Sequence, residues 1–306
     1  PAELKAFRGA DVGACSMVVQ KTQDSSAPSP LITIYGENFR KTEVERVPLQ
    51  VSLVDSPDCV LPFASGVKPS RFLQEFEHLP LFGSLESPGE GGLWAGRELD
   101  ETRISTSLST GKDGPLFIKG RMIRRFTIVD PPVHRVVRKD WFPPKSTEFE
   151  RIAWRDVSRR SQRRRLIATV IPAGTVAGNS LGVAYFRDND RSRLRVMLGL
   201  VSSLCFEVQL RAYLATGHVT LSALRRIHLP DLYVESPWFD LMEKTVDACL
   251  ADESGSQHRL EAIAAKMYGL NAESLGVLLS CFGGLTKEED RAVKYYFDEL
   301  SGGDSQ

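Results

Sequence analysis

A series of arginines and lysines between residues 119 and 165 has the chemistry to contact phosphate groups and guanine bases. Its members are Lys119, Arg121, Arg124, Arg125, Arg135, Arg138, Lys139, Lys145, Arg151, Arg155, Arg159, Arg160, Arg163, Arg164 and Arg165. Arginine predominates, and its planar guanidinium donates paired hydrogen bonds to a phosphate or to O6 and N7 of guanine. The series predicts a nucleic-acid-binding surface. Two alternatives stay open: a solvated basic face, and docking of this segment onto the acidic C-terminal helices.

The charge of the chain is unevenly distributed, although the formal net charge of its 306 residues is zero. Residues 1–118 carry a net charge of −5, residues 119–230 carry 22 basic and 8 acidic side chains, and residues 231–306 carry −9. A basic central part between acidic flanks suits an anionic partner. The ordinary composition excludes a disordered chain, and the lack of an uncharged apolar run of about 18 residues predicts no membrane span.

No segment has the residue pattern of a catalytic, cofactor or metal site. Asp130-Pro131-Pro132-Val133 has the acidic-Pro-Pro order of amino-methyltransferases, but Val133 stands where an aromatic ring must stack on the flipped base. We therefore predict a turn there. The glycine-rich segments fit neither phosphate-binding spacing, the histidines lack paired-ligand spacing, and the five cysteines are scattered. We expect a reducing, cytoplasmic setting, with no metal, cofactor or catalytic residue in this chain.

The elements that must position the arginines predict an α+β fold. Strands are expected at Asp11–Thr22 and Leu31–Tyr35, joined as a hairpin across a Ser/Pro-rich loop. A short helix is expected from Ser70, which would cap it. Between Leu93 and Phe186, short apolar runs alternate with turn residues, which predicts a mixed sheet.

Helical spacing predominates after the sheet. A single helix is expected over Arg193–Thr216, with Gly217 as its C-cap, followed by a helical turn at Leu221–Ile227. From Pro237 onward, the periodicity predicts four helices with acidic solvent faces. We expect this helical region to pack behind the arginine-rich domain.

Several segments carry a family resemblance. Glu98-x-Asp100-x-Thr102-Arg103 is followed by Pro115–Phe126, and Arg151–Ser158 is followed by Arg165–Ser180. Leu198–His218 and Leu229-Pro230 then supply a helix and a return strand. In this order they resemble the target-recognition domains of adenine-specific methyltransferases from type IIS and type IIG restriction–modification systems. The resemblance covers most of Leu93–Phe297, including a helical tail at His258–Leu270.

The N-terminal part resembles the end of a methyltransferase catalytic sheet. Phe7–Lys21 and Leu31–Tyr35 match its last two strands, without the S-adenosylmethionine loop or the Asn-Pro-Pro-aromatic motif. The resemblance implies that the chain is the C-terminal portion of a site-specific DNA adenine N6-methyltransferase. S-adenosylmethionine would then bind elsewhere in the parent protein, and this chain alone would be inactive.

The resemblance also implies a domain order. Residues 1–50 would be the terminal hairpin of the catalytic domain, and residues 51–92 a connector with a short helix. Residues 93–232 would be the DNA target-recognition domain, and residues 233–306 a helical C-terminal region. The expected partners are double-stranded DNA, the methyltransferase catalytic domain in cis or in trans, and a cognate restriction endonuclease.

The residues predicted to contact DNA combine the arginine series with the family-like segments. They are Arg97, Arg103, Lys119, Arg121, Arg124, Arg155, Arg159, Arg160, Arg163, Asn179 and Ser180. Base readout is expected from Arg97, Arg103, Arg121, Arg155, Arg159, Asn179 and Ser180. The other cations would contact phosphates.

Other interpretations accompany these assignments. Asn179 and Ser180 fit equally well as a turn after Gly178, and Trp154 fits the core better than a stacking role. Arg163–Arg165 enters a strand, so alternate members must point in opposite directions. The alternative function is a protein–protein assembly module of a restriction–modification complex, without direct base readout.

Overall fold

The computed structural model describes residues 31–35, 41–46, 72, 75–100, 108–109, 113–130, 132, 134–136, 143–159, 162–214, 217–234 and 236–302. The predictions at Asp11–Thr22, Ser70, Arg103 and Arg160 lie outside these residues.

The described strands and helices confirm an α+β fold. The strands are β1 (Leu31–Tyr35), β2 (Lys41–Arg46), β3 (Leu93–Gly96), β4 (Leu108–Ser109), β5 (Leu116–Ile118), β6 (Ile123–Arg124), β7 (Thr127–Ile128), β8 (Arg135–Val136), β9 (Arg151–Arg155), β10 (Ala168–Ile171), β11 (Thr175–Ala177) and β12 (Leu181–Phe186). The helices are α1 (Arg191–Val201), α2 (Leu204–Tyr213), α3 (Leu221–Leu224), α4 (Pro237–Leu250), α5 (Ser256–Met267), α6 (Ala272–Ser280) and α7 (Lys287–Gly302).

The central sheet is antiparallel, with strand order β10-β9-β12-β3. All six residues of β12 are buried, because the strand has a neighbour on each side and packed layers on both faces. A second sheet, β11-β5-β8-β4, combines the parallel pair β11–β5 with antiparallel pairs. The segment Leu93–Phe186, expected to form a mixed sheet, therefore forms the antiparallel central sheet and this separate mixed sheet. The remaining pairs are the hairpin β6–β7 and the hairpin β1–β2.

The strand predicted at Leu31–Tyr35 is confirmed as β1, and within the described residues its partner is β2. The sequence analysis did not predict β2. Its sequence, KTEVER, holds Val44 as its single apolar residue, so it lacks the apolar alternation that marks a half-buried strand.

The prediction of one helix over Arg193–Thr216 is wrong, because the segment forms α1 and α2 with a bend of 63° between them. Ser203 adopts an extended backbone at the break, and its hydroxyl accepts a hydrogen bond from the amide of Phe206 as an N-cap. Gly217 is not the C-cap, since α2 ends at Tyr213 and Leu214 is extended. Within the described part, no single helix is long and apolar enough to cross a bilayer. Helices α1 and α2 are long and apolar enough only when they are taken together, and the bend separates them.

The helical predictions from Leu221 onward are confirmed. The turn expected at Leu221–Ile227 is the short helix α3, and the four helices expected from Pro237 onward are α4 to α7. The return strand expected at Leu229-Pro230 is wrong, because this segment forms one isolated bridge, between Leu81 and His228. A proline cannot donate to a strand ladder, which limits pairing there.

The largest hydrophobic cluster joins the central sheet to the helical region. It includes Phe72 and Phe76, one face of β9 and β12, most of α1 and α2, and residues of α4 to α7. The cluster therefore contains residues from both sides of the boundary that was expected between residues 232 and 233. A smaller cluster fills the space between the central sheet and the segment Ile118–Ile123. Trp154 belongs to the core, where a side chain at Gly182 would overlap its indole ring.

Candidate nucleic-acid interface

One end of the central sheet gathers most of the predicted DNA-contacting residues. In the antiparallel register, Gly96 pairs with Val183 and Arg155 pairs with Leu181. The residue after β3, the last residue of β9 and the residue before β12 therefore meet at the same end. These are Arg97, Arg155 and Ser180.

The segment between β5 and β6 joins this end through three hydrogen bonds. The amide of Gly120 donates to the hydroxyl of Ser180 over 3.0 Å, and the amide of Gly178 donates to the carbonyl of Ile118 over 2.9 Å. The Arg155 guanidinium donates to the carbonyl of Ile123. We call the resulting surface the basic end: residues 97–100, 119–124, 155–159 and 178–180.

Three of the exposed arginines of the basic end have no carboxylate partner among the described residues. They are Arg121, Arg124 and Arg159. Among the described residues, no carboxylate lies within ion-pair distance of any of them; the Arg124 guanidinium approaches only the carbonyls of Arg121 and Ile123, at 3.4 and 3.3 Å. An uncompensated guanidinium keeps its donors available for a phosphate oxygen.

Arg155 and Lys119 are more enclosed. Burial, and then the charge of Arg124, lower the pKa of Arg155. The positive charge of Arg124 thus disfavours the protonated form of Arg155, and an anion bound near both side chains would relieve this repulsion. Lys119 is half-buried, with its ammonium 5.2 Å from the centre of the Phe117 ring.

Arg97 is braced by a buried carboxylate. Its guanidinium pairs with Oδ1 of Asp156, while Nδ1 of His218 lies 3.0 Å from Oδ2 of the same residue. The carboxylate can only accept, which assigns the His218 proton to Nδ1. The side chain of Asp156 is 10% exposed, and those of Arg97 and His218 are 55% and 57% exposed. The largely buried carboxylate of Asp156 therefore binds two exposed side chains, Arg97 and His218.

Asn179 and Ser180 form the turn that precedes β12. The amide of Leu181 donates to the carbonyl of Gly178 over 2.9 Å, and Nδ2 of Asn179 donates to Oδ1 of Asp100 over 3.3 Å. With the Gly120–Ser180 bond, both side chains connect neighbouring loops of the basic end. The structure therefore places them at the predicted surface, in the turn that was the alternative interpretation.

Several other arginines of the series bind acidic residues of the helical region. Arg163 pairs with Glu289 of α7, and both Arg125 and Arg164 donate to Glu261 of α5. Docking of the basic segment onto the acidic C-terminal helices was one of the alternatives left open by the sequence, and it describes the contacts of Arg125, Arg163 and Arg164. Arg163 was predicted to contact DNA, and the structure places it in this pair instead of at the basic end.

Burial accounts for two further members of the series. Arg151 is fully buried against Glu98, and Arg165 is 4% exposed, with its Nε 3.1 Å from the Ser158 hydroxyl. These guanidiniums stabilise the fold and are inaccessible to a ligand. Fewer arginines of the series are therefore available to a partner than the sequence suggests, and the described arginines that are exposed without a carboxylate partner, Arg121, Arg124 and Arg159, all lie at the basic end.

Sequence reasoning did not single out Asp156 or His218 as functional. They are 62 residues apart in the chain, and neither belongs to a spaced motif, so no local signal predicts their contact. Among the described residues, no group of three or more histidine, cysteine, aspartate or glutamate side chains is arranged to hold a metal ion.

The opposite end of the central sheet has a different character. There the Arg193 guanidinium donates to Asp188, to Asp190 over 2.8 Å and to the carbonyl of Gly91 over 3.0 Å. It also lies between the rings of Phe186 and Tyr233, at 4.7 and 4.8 Å from their centres. We call this surface the distal end.

A groove of about 730 Å³ opens beside Arg193 at the distal end. Tyr233 and Val234 line it and are 53% and 58% exposed. Asp240, also exposed, stands at its border. The groove therefore combines apolar contact area with the exposed carboxylate of Asp240.

The chain shows a limited structural similarity to a restriction–modification enzyme. No family model matches the chain, and no curated protein sequence matches it. Among solved structures, the chain is similar to the type IIL restriction–modification enzyme MmeI in complex with DNA, with a TM-score of 0.37 and 9% identity. The similarity covers 74% of this chain and 35% of the other, so the chain spans about a third of the length of that enzyme.

Proposed function

We propose that this chain is the sequence-specific double-stranded DNA recognition module of a restriction–modification DNA adenine methyltransferase. The observation that carries the proposal is the basic end, where Arg121, Arg124 and Arg159 are exposed without carboxylate partners among the described residues. The family resemblance of the segments that build this end supports the same function. Methyl transfer and S-adenosylmethionine binding would belong to a catalytic domain supplied in cis or in trans.

Phosphate contacts from the basic end would provide most of the affinity. Each arginine that neutralises a phosphate releases condensed counterions, so the logarithm of the binding constant falls with that of the salt concentration by about 0.9 per contact. Base contacts from the braced or partly enclosed side chains would then select the sequence. In the parent protein, docking would place an adenine for extrusion into the catalytic pocket.

The salt dependence of duplex binding tests the proposal. Fluorescence anisotropy with a labelled 30-base-pair duplex, at several salt concentrations, should give a steep slope for the unaltered chain. The double substitution Arg121→Ala with Arg124→Ala should reduce the slope by about 2, because two phosphate contacts are lost.

A matched control removes two positive charges from the distal end. Arg187 follows β12 there, and Arg191 begins α1 with a side chain that is 69% exposed. Arg187→Ala with Arg191→Ala changes the net charge equally and should leave the slope nearly unchanged. Equal slopes for the two double variants would contradict a DNA interface at the basic end.

The second candidate function is protein–protein assembly within a restriction–modification complex. The exposed Tyr233 and Val234 beside the distal groove favour it, since exposed apolar side chains beside a groove are typical of protein contacts. Under this function, the chain would bind duplexes weakly and with little salt dependence. A slope near zero for the unaltered chain would therefore favour assembly over DNA recognition.

A further inference from the structure

The arginines at the basic end differ in how firmly they are held. Arg121 and Arg124 are exposed and have no carboxylate partner among the described residues. Arg97 is held by Asp156, although its side chain is 55% exposed. A phosphate accepts a donor from many directions, whereas a base edge needs a guanidinium in one orientation.

Asp156 is itself held in place. Its amide donates to the carbonyl of Ser180 over 3.0 Å, and its carbonyl accepts from the amide of Val219 over 2.7 Å. With the carboxylate fixed by His218 as well, the orientation of Arg97 is set by three surrounding segments.

We infer that Arg97 is a base-reading residue specific for guanine, and that Asp156 and His218 are its positioning residues. The inference rests on the proposed function and assigns roles within the same surface. Asp156 engages one Nη2 donor of Arg97, and a guanidinium has five N–H donors. Two donors on its outer edge therefore stay available for O6 and N7 of a guanine in the major groove.

The contact with Asp156 pre-organises this reader. A free arginine side chain must lose its rotamer freedom when it binds a base, while a braced one has lost much of it beforehand. The negative charge of Asp156 also opposes contact of the same guanidinium with a phosphate, which separates Arg97 from Arg121 and Arg124 in function.

Selection from a duplex pool with a randomised core tests the inference, because the target sequence is unknown. The unaltered chain should enrich a motif that contains a guanine. Arg97→Lys keeps the charge and removes the planar fork, so it should reduce the preference for that guanine by about tenfold to a hundredfold. The remaining positions of the motif and the slope of affinity against salt should stay unchanged.

The positioning roles have their own variants. Asp156→Asn and His218→Gln should weaken the preference at the same guanine and at no other position. Thermal unfolding identifies any general loss of structure in Asp156→Asn. If that variant unfolds, Arg97→Lys still tests the inference, because Arg97 is exposed and its replacement leaves the core unchanged. Arg191→Lys, at an exposed position of the distal end, is the matched control and should leave every position of the motif unchanged.

The outcomes separate the inference from the proposed function. A uniform loss of affinity with a reduced salt slope in Arg97→Ala would make Arg97 a phosphate contact and overturn the inference alone. A motif that Arg97→Lys leaves intact would do the same. A chain that binds no duplex at low salt would overturn the proposed function, and the inference with it.

Discussion

Arg151 and Glu98 form a fully buried ion pair, with Nε of the arginine 2.6 Å from Oε1 of the glutamate. The pair is embedded in further hydrogen bonds: Arg151 donates to the carbonyl of Thr175 over 2.6 Å, and Glu98 accepts from the amide of Ala177 over 2.7 Å. It joins the end of β3, the start of β9 and the strand β11. Both residues lie in the family-like segments, and the structure shows that their role is to hold the two sheets together.

Breaking this pair is expected to destabilise the fold strongly. Glu98→Gln leaves the Arg151 guanidinium without its counter-charge in the core, and Arg151→Met leaves the Glu98 carboxylate without its own, and either loss costs about 3–5 kcal/mol. Urea unfolding should show this loss for each single variant. The double variant should lose less than the two single losses combined, since neither charge is then left alone. Additive losses would show that the two side chains act independently.

Glu261 is expected to be as important for the helical region. Its carboxylate receives Arg125 and Arg164 and also the amide of Leu204 at the start of α2, over 2.7 Å. Burial, and then repulsion from Arg164, lower the pKa of Arg125 to about 10, so this site already holds an excess of positive charge.

Glu261→Gln should therefore lower the free energy of unfolding by about 3 kcal/mol or more, because two guanidiniums lose their counter-charge. Glu299→Gln, at an exposed position on α7, is the matched control and should change it by less than about 0.5 kcal/mol. Chemical denaturation of both variants measures the difference. Similar losses would contradict the role assigned to Glu261.

The pair between Arg163 and Glu289 should make stability depend on pH. The hydrogen bond from Arg163 is the main cause that lowers the pKa of Glu289 from 4.5 to about 2. Because the folded state favours the carboxylate, the stabilisation is complete above pH 4.5 and is lost as the pH falls toward about 2.

Glu289→Gln isolates this effect. Glu289 also accepts from the amide of Thr286 over 2.8 Å in a capping box, a bond that glutamine can still make. Thermal unfolding should place the variant below the unaltered protein at pH 6 and bring the two together near pH 2. A constant difference across this range would show that the charge of Glu289 contributes nothing.

Gly182 should tolerate no side chain. Alanine there would overlap the indole ring of Trp154, which is buried in the core and cannot move away. Gly182→Ala should destabilise the protein by about 1–3 kcal/mol through overpacking. The control is Gly276→Ala on α6, where the added methyl meets no atom within 4 Å and alanine favours the helix. The midpoint of unfolding of Gly276→Ala should rise slightly. A fall would show that the added methyl group is not accommodated at this position.

Local signals were sufficient for much of the fold. The apolar runs predicted β9, β10 and β12, and the helical periodicity predicted α4 to α7. The break between α1 and α2 was missed because apolar spacing continues through Ser202 and Ser203, while the N-cap bond of Ser203 interrupts the backbone. Apolar periodicity reports burial and does not detect a change of helix direction.

The candidate site was predictable only in part. The sequence identified the arginines, but it could not separate Arg151, which is buried, from Arg121, which is exposed. That separation depends on carboxylates distant in the chain, such as Glu98 and Glu261. The contact of Asp156 with His218 is equally non-local, so the bracing of Arg97 becomes visible only in three dimensions.

The contrast between the two ends of the central sheet has a kinetic consequence under the proposed function. Arg121, Arg124 and Arg159 are exposed at the basic end without a carboxylate partner among the described residues, while Arg193 at the distal end is paired with Asp188 and Asp190. The phosphate backbone of a duplex attracts such uncompensated guanidiniums before contact, over about a Debye length. The basic end would therefore be drawn toward the duplex first, and productive encounters would become rarer as added ions screen this attraction.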